Sequence, residues 1–198
     1  MQEYLAQKGT LAEEEAKLIF GKICEGIRYL HHDCRIAHLD VKLENILVLP
    51  CSPDEMKVFI CDFGLSRAAD NERNKSNSPD LLECNDLFCS GSITSLPPEV
   101  LTTDTSSVSE VPSTFEQKKK QDILALGVLL YALVCGKLPF YDQFMPRLQH
   151  SIITGNYPAP PDHLSSALKH LISSLLNTNA HDRPDIKEVL NSTWFHNK

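Results

Sequence analysis

A chain of 198 residues with 42% hydrophobic side chains has enough apolar material for one folded core and too little length for two comfortable ones. A formal net charge of -7 without any long basic block argues against nucleic acid or an anionic membrane surface as partner. The opening M-Q-E-Y-L-A-Q-K-G-T has neither a basic n-region nor an apolar h-region, so it does not read as a secretory signal, and the expected setting is cytoplasmic or nuclear.

From Thr10 onward a capping box, Thr10 to Glu13, is expected to open an amphipathic helix. Its apolar positions Ala16, Ile19, Phe20, Ile23, Cys24, Ile27 and Leu30 recur at helical spacing and should share one buried face. Two short strand-like runs, 46–49 and 57–60, flank the turn-rich P-C-S-P-D-E and predict a small hairpin. The stretches 70–80 and 102–114 are polar or Ser/Thr-rich and read as surface loops whose composition permits phosphorylation, for example at Ser78-Pro79.

Between 123 and 135 every residue except Gly127 is apolar or Tyr, and Gly136 followed by Pro139 supplies a stop. A membrane span needs about 20 apolar residues, so this run predicts a helix buried all round, the central post of the domain. Lys118, Lys119 and Lys120 ahead of it read as a solvated face. Two more helices are expected, one over 166–176 and one starting near Asp185, which forms a second box with Glu188. The fold class that emerges is mainly α with one small β-hairpin and no internal repeat.

Seven cysteines, an odd count without a C-x-x-C pair, read as reduced thiols. Cys61 is expected to pack as a small core hydrophobe. His31, His32 and His38 lie close in sequence, but no second cluster at ligand spacing accompanies them, so packed or surface histidines are expected and not a zinc site.

The stretch His38 to Val48, H-L-D-V-K-L-E-N-I-L-V, places a carboxylate, an amine and a carboxamide at Asp40, Lys42 and Asn45. Two strands and a turn later, Asp62-Phe63-Gly64 offers a second carboxylate at a strand end. This set suits phosphoryl transfer. One carboxylate orients the attacking hydroxyl and the lysine stabilises the transferring group. The amide and the other aspartate hold Mg²⁺.

At these residues the chain resembles the eukaryotic protein kinases, specifically their large C-terminal lobe, over nearly its whole length, 1–198. His38 to Asn45 looks like the catalytic loop, Asp62-Phe63-Gly64 like the metal-binding motif, and Pro97-Pro98-Glu99 like the end of an activation segment spanning 65–96. Asp122 with Leu126-Gly127 is similar to the start of the central helix, after a polar inserted loop at 102–120. Arg183-Pro184 and Trp194-Phe195 are similar to the C-terminal end. Lys42 and Gly91-Ser92 are the serine/threonine form. Y-L-A-Q-K-G-T-L-A-E-E-E-A and N-S-T-W-F resemble the calcium/calmodulin-dependent and AMP-activated group.

The resemblance implies roles. Asp40 and Lys42 are catalytic, Asn45 and Asp62 hold Mg²⁺, and Leu47 forms the floor under the adenine of ATP. Toward the protein substrate, Glu44 points to basic residues near the acceptor, and Ser92 would hydrogen-bond toward Asp40 and Lys42. Glu99 and Arg183 form a buried ion pair, Asp122 braces the catalytic loop, and His38 with Phe63 makes the lower half of a stacked apolar column.

Several positions depart from the family pattern. Leu39 replaces the arginine that receives an activation-loop phosphate, Ser95 stands at a usual tyrosine, and Leu124 replaces a tryptophan. No G-x-G-x-x-G occurs, so the phosphate-gripping small lobe is expected to be absent. Met1 then opens in mid-domain, which leaves three readings: a fragment of a longer active kinase, a pseudokinase-like binding module, or a competent single lobe. The expectation is a chain inactive alone, with His38, Phe63 and Leu47 facing water together and recruiting a partner or chaperone.

Overall fold

The computed structural model describes residues 1–52, 55–69, 96–101 and 114–196; the features expected around Ser78, Ser92 and Ser95, most of the stretch 65–96, and positions 102–113 lie outside the described residues. After a first helix α1 (Gln2–Lys8), α2 (Glu13–Arg28) buries Ala16, Ile19, Phe20, Ile23, Cys24 and Ile27, the face its periodicity predicts. Burial pushes the Cys24 thiol well above its ordinary pKa, so it behaves as a packed apolar group. The helix start differs from the expected box: Ala12 is the N-cap and no side chain caps it.

Glu13 is engaged elsewhere. Its carboxylate accepts the Ser165 N–H at 3.0 Å, the Ser165 hydroxyl, and the Trp194 indole N–H at 2.8 Å. Three tertiary donors outcompete one local cap. Partial burial pushes the Glu13 carboxyl up, but these hydrogen bonds outweigh it and the net shift is downward. A carboxyl with a depressed folded pKa contributes stability that is complete above its ordinary value of 4.5 and is lost as pH falls through the folded value. Acid titration followed by fluorescence of Trp194, the single tryptophan, is expected to show a transition below that pH that Glu13→Gln removes. An identical titration in the variant would rule this clasp out.

Helix α2 continues into a π-helical turn, Tyr29–Cys34, ended by Arg35 at φ 55°. Strand β1 (Ile36–Ala37) follows, then β2 (Ile46–Ser52) and β3 (Glu55–Ile60), which form the expected antiparallel hairpin with Ile46 opposite Ile60 and Leu47 opposite Phe59. Ile46 is buried, whereas Leu47, Leu49 and Phe59 are exposed, as the period-2 alternation of a half-covered ribbon requires. A second ladder was not expected. β1 pairs with β4 (Arg67–Ala68), two residues on each side, tying the loop ahead of Asp40 to the stretch after Asp62.

Helix α3 (Pro98–Leu101) precedes the long central helix α4 (Phe115–Cys135). The boundary of the polar loop at 120 is corrected here, because Thr114 and Gln117 form a capping box and the helix begins at Phe115. The lysine run is therefore helical and is not a freely solvated face. Lys118 is buried, Lys119 pairs with Glu116 at 2.7 Å, and Lys120 donates to the Arg183 carbonyl. Long lysine stems cover apolar surface while their amines find partners.

From Ile123 to Val134 α4 is buried on all sides. Gly127 allows close packing: a Cβ there would sit 2.8 Å from the Leu175 Cβ. Of the helices that follow, α5 (Met145–Thr154) packs on α3, α6 (Ser166–Leu175) on α4, α7 (Ile186–Leu190), opened by the expected Asp185/Glu188 box, on α2, and α8 (Thr193–His196) on α6. Trp194 joins the core beside Phe20, ring centroids 6.1 Å apart. No described helix is long and apolar enough to cross a membrane.

Candidate active site

The loop His38–Asn45 leaves β1, closes through a 3-10 turn (Leu43–Asn45) and enters β2. Asp40 and Asn45 are buried. The Lys42 ammonium lies 2.7 Å from Asp40 Oδ2, and the Asn45 amide donates to the same oxygen at 2.7 Å and to the Asp40 carbonyl at 2.9 Å. One carboxylate oxygen is thus held by two donors from within its own loop, which fixes its direction.

Asp62 follows β3 at φ 65°, a left-handed conformation that non-glycine residues adopt at a cost. Its side chain is exposed, and one oxygen accepts the Gly64 N–H at 3.3 Å. His38 couples this turn to the loop. Its Nε2 lies 3.2 Å from the Cys61 carbonyl and its Nδ1 accepts the Asp40 N–H at 3.3 Å, which places the ring proton on Nε2. Phe63 packs on that ring, centroids 4.9 Å apart. The Cys61 N–H donates to the Asn45 carbonyl at 2.9 Å and the Ser66 hydroxyl to the His38 carbonyl at 3.2 Å.

Behind the loop, Asp122 of α4 is fully buried and accepts the His38 N–H at 2.8 Å and the Leu39 N–H at 2.7 Å. Its third partner, His31 Nε2 at 2.7 Å, was missed in the sequence. The available signal was its place four residues after Ile27, on the buried face. Arg183, from the segment before α7, makes a two-pronged pair with Glu99 of α3 at 2.9 and 2.8 Å.

Glu44 is exposed on the 3-10 turn and Leu47 is exposed on the outer face of β2. Ser92 is outside the described residues. Two expectations need correction. His38 does not face water with Phe63 and Leu47; Phe63 and the loop backbone enclose it, and it is fully buried. Cys61 is half-buried, not a core residue, because it follows the last residue of β3 and its thiol reaches the Asn45 carbonyl at 3.2 Å.

The protein kinase domain family matches residues 1–195. Among similar proteins are the carbon catabolite-derepressing protein kinase of Candida albicans, 34% identical over 196 residues, and the serine/threonine protein kinase OSK3 of Oryza sativa subsp. indica, 33% over 193. The SNF1-related protein kinase catalytic subunit alpha KIN12 of Arabidopsis thaliana is 33% identical over 195 residues. Each alignment covers 98% of this chain but only 27%, 33% and 34% of the respective relative, so the chain spans about a quarter to a third of their length. The crystal structure of the Rad53 kinase domain and SCD2 in complex with AMPPNP superimposes with a TM-score of 0.73 at 24% identity, over 98% of this chain and 63% of that one. That likeness shows a shared fold. The relatives, an SNF1-related kinase among them, support the AMP-activated group. With a family match running from the first helix to the last, the chain belongs to the protein kinase domain family.

Proposed function

We propose that this chain is the large lobe of a serine/threonine protein kinase and that it transfers the γ-phosphoryl group of ATP to protein hydroxyls only when a small lobe completes the nucleotide clamp. The observation that carries the reading is the Asp40 carboxylate held by Lys42 and Asn45, with Asp62 presented from the end of β3 and tied to the same loop through His38. In this reading Asp40 accepts the hydroxyl proton and Lys42 offsets charge on the moving phosphoryl group. Asn45 commits its amide nitrogen to Asp40, which leaves its oxygen as the coordinating end.

The donor set fits Mg²⁺. A carboxylate and a carboxamide are hard oxygen ligands, and this ion keeps water and phosphate ligands, so one or two protein groups suffice. Among the described residues no group of three or more His, Cys, Asp or Glu forms a competing metal site. When bound, the ion would neutralise phosphate charge. In this reading Leu47, exposed on β2, would underlie the adenine, and exposed Glu44 would favour basic residues near the acceptor.

Joining the chain to the small lobe of the Candida albicans relative tests this. The chimera is expected to phosphorylate a serine peptide, with Asp40→Asn and Asp62→Ala each lowering the rate about a hundredfold or more, while the 198-residue chain alone transfers almost nothing. A folded chimera without activity, or one indifferent to Asp40→Asn, would overturn the catalytic roles.

The exposed apolar residues favour a partner-binding reading for the free chain. Leu47 is 50% exposed, Leu49 55%, Phe59 49% and Phe63 46%. Such surface is covered by a partner or associates. The free chain is expected to self-associate or bind a hydrophobic dye, and Leu47→Ser with Phe63→Ser to relieve both. A dye-free monomer across concentrations in size-exclusion chromatography would show that the face needs no cover.

A further inference from the structure

We infer that Phe115 is a positioning residue for the His38–Asn45 loop, which it grips through the side chain of Leu39; the kinase reading enters only in what that loop does. Leu39 stands at φ 65°, a conformation unfavourable for an L side chain, and it is held there from two directions. Its N–H donates to Asp122 Oδ1 at 2.7 Å. Its side chain packs on a small apolar cluster of Ala37, Ala69 and Phe115, separate from the main core.

The cluster joins three pieces of chain. Ala37 ends β1, Ala69 follows β4 and donates its N–H to the Arg35 carbonyl at 2.9 Å, and Phe115 is the first residue of α4. Phe115 and Asp122 are an i, i+7 pair, two turns apart on one face of that helix. The helix therefore holds the loop at two points, by the backbone through Asp122 and by a side chain through Phe115. The Arg35 guanidinium and the Lys119 ammonium each lie 5.5 Å from the Phe115 ring centroid and help to fix the ring.

Position 39 is where the family resemblance expects an arginine that answers to a phosphate. Here an apolar contact occupies that place. An apolar contact needs no counter-anion. Order in this loop is accordingly built into the fold and does not wait for a modification.

Residue-resolved amide hydrogen exchange on the 198-residue chain tests the grip. Leu39→Ala and Phe115→Ala are expected to speed exchange at the His38, Leu39 and Asp40 amides about tenfold or more while α6 amides keep their rates. Phe115→Leu, which preserves an apolar contact, should restore most of the protection. If Phe115→Ala does not fold, Leu39→Ala decides, because Leu39 is only half-buried and lies outside the main core. Unchanged loop amides in Leu39→Ala, or equal acceleration throughout, would overturn the inference. An inactive chimera with a protected loop would refute the kinase roles and leave the grip standing.

Discussion

Replacing Arg183 with leucine is expected to remove about 3–5 kcal/mol of stability, the cost of breaking one side of a buried, hydrogen-bonded ion pair. The Arg183 side chain is 0% exposed and that of Glu99 26%. Besides its two bonds to Glu99, the guanidinium donates to the carbonyls of Asn177 at 2.7 Å, Lys120 at 3.0 Å and Thr178 at 3.3 Å. Leucine leaves all these acceptors without their donor. Lysine, a point charge on a flexible stem, cannot reproduce a planar fork that reaches three carbonyls and a carboxylate. Glu99→Gln should cost less, about 1–3 kcal/mol, since water reaches its side chain and three carbonyls still receive the arginine. Urea unfolding followed by helical circular dichroism measures all three variants. Stability of Arg183→Leu within about 1 kcal/mol of the unaltered chain would contradict the buried-pair account.

Asp122→Ala is the second large effect. Three donors, the buried His38 amide and His31 ring and the part-buried Leu39 amide, lose their acceptor together. An unsatisfied buried donor costs about 1–3 kcal/mol, so a loss of about 3 kcal/mol or more is expected. Asp122→Asn keeps one acceptor oxygen and turns an NH₂ toward a donor, so it should fall between. The same urea series gives the stabilities, and the backbone nitrogen shift of Leu39 shows whether the loop has moved. A stable Asp122→Ala with an unmoved Leu39 would mean that the loop is held without Asp122.

The elements that the sequence made legible share one property: their signal is local. The face of α2 repeats at helical spacing, the core of α4 is a continuous apolar run, Asp185 and Glu188 cap within one turn, and the spacing of Asp40, Lys42 and Asn45 is itself the motif. The misses are places where a distant partner overrides that signal. Glu13 matches a capping box, yet its hydrogen bonds go to Ser165 and Trp194, which no window around Thr10 contains. The lysine run at 118–120 resembles a solvated face, because neither the Thr114 cap nor the Arg183 carbonyl is visible in its charges. The β1–β4 ladder has two residues on each side, too few for any periodicity. His38 has the composition of an exposed loop histidine. Only the fold of the loop around it makes it a buried link between Asp40 and Cys61.

The clasp between Glu13 and Trp194 spans 181 positions, so its two halves are made far apart in synthesis. At about 5–20 residues per second, Glu13 is added to the chain roughly 9 to 36 s before its indole partner. During that interval α4 has emerged with an apolar surface on every side, while α6, which packs along Gly127, is still to come. Contacts of such long sequence separation are slow to close and expose sticky surface meanwhile. The order of the elements therefore leaves the apolar surface of α4 uncovered until α6 and then α8 are made and the clasp can shut.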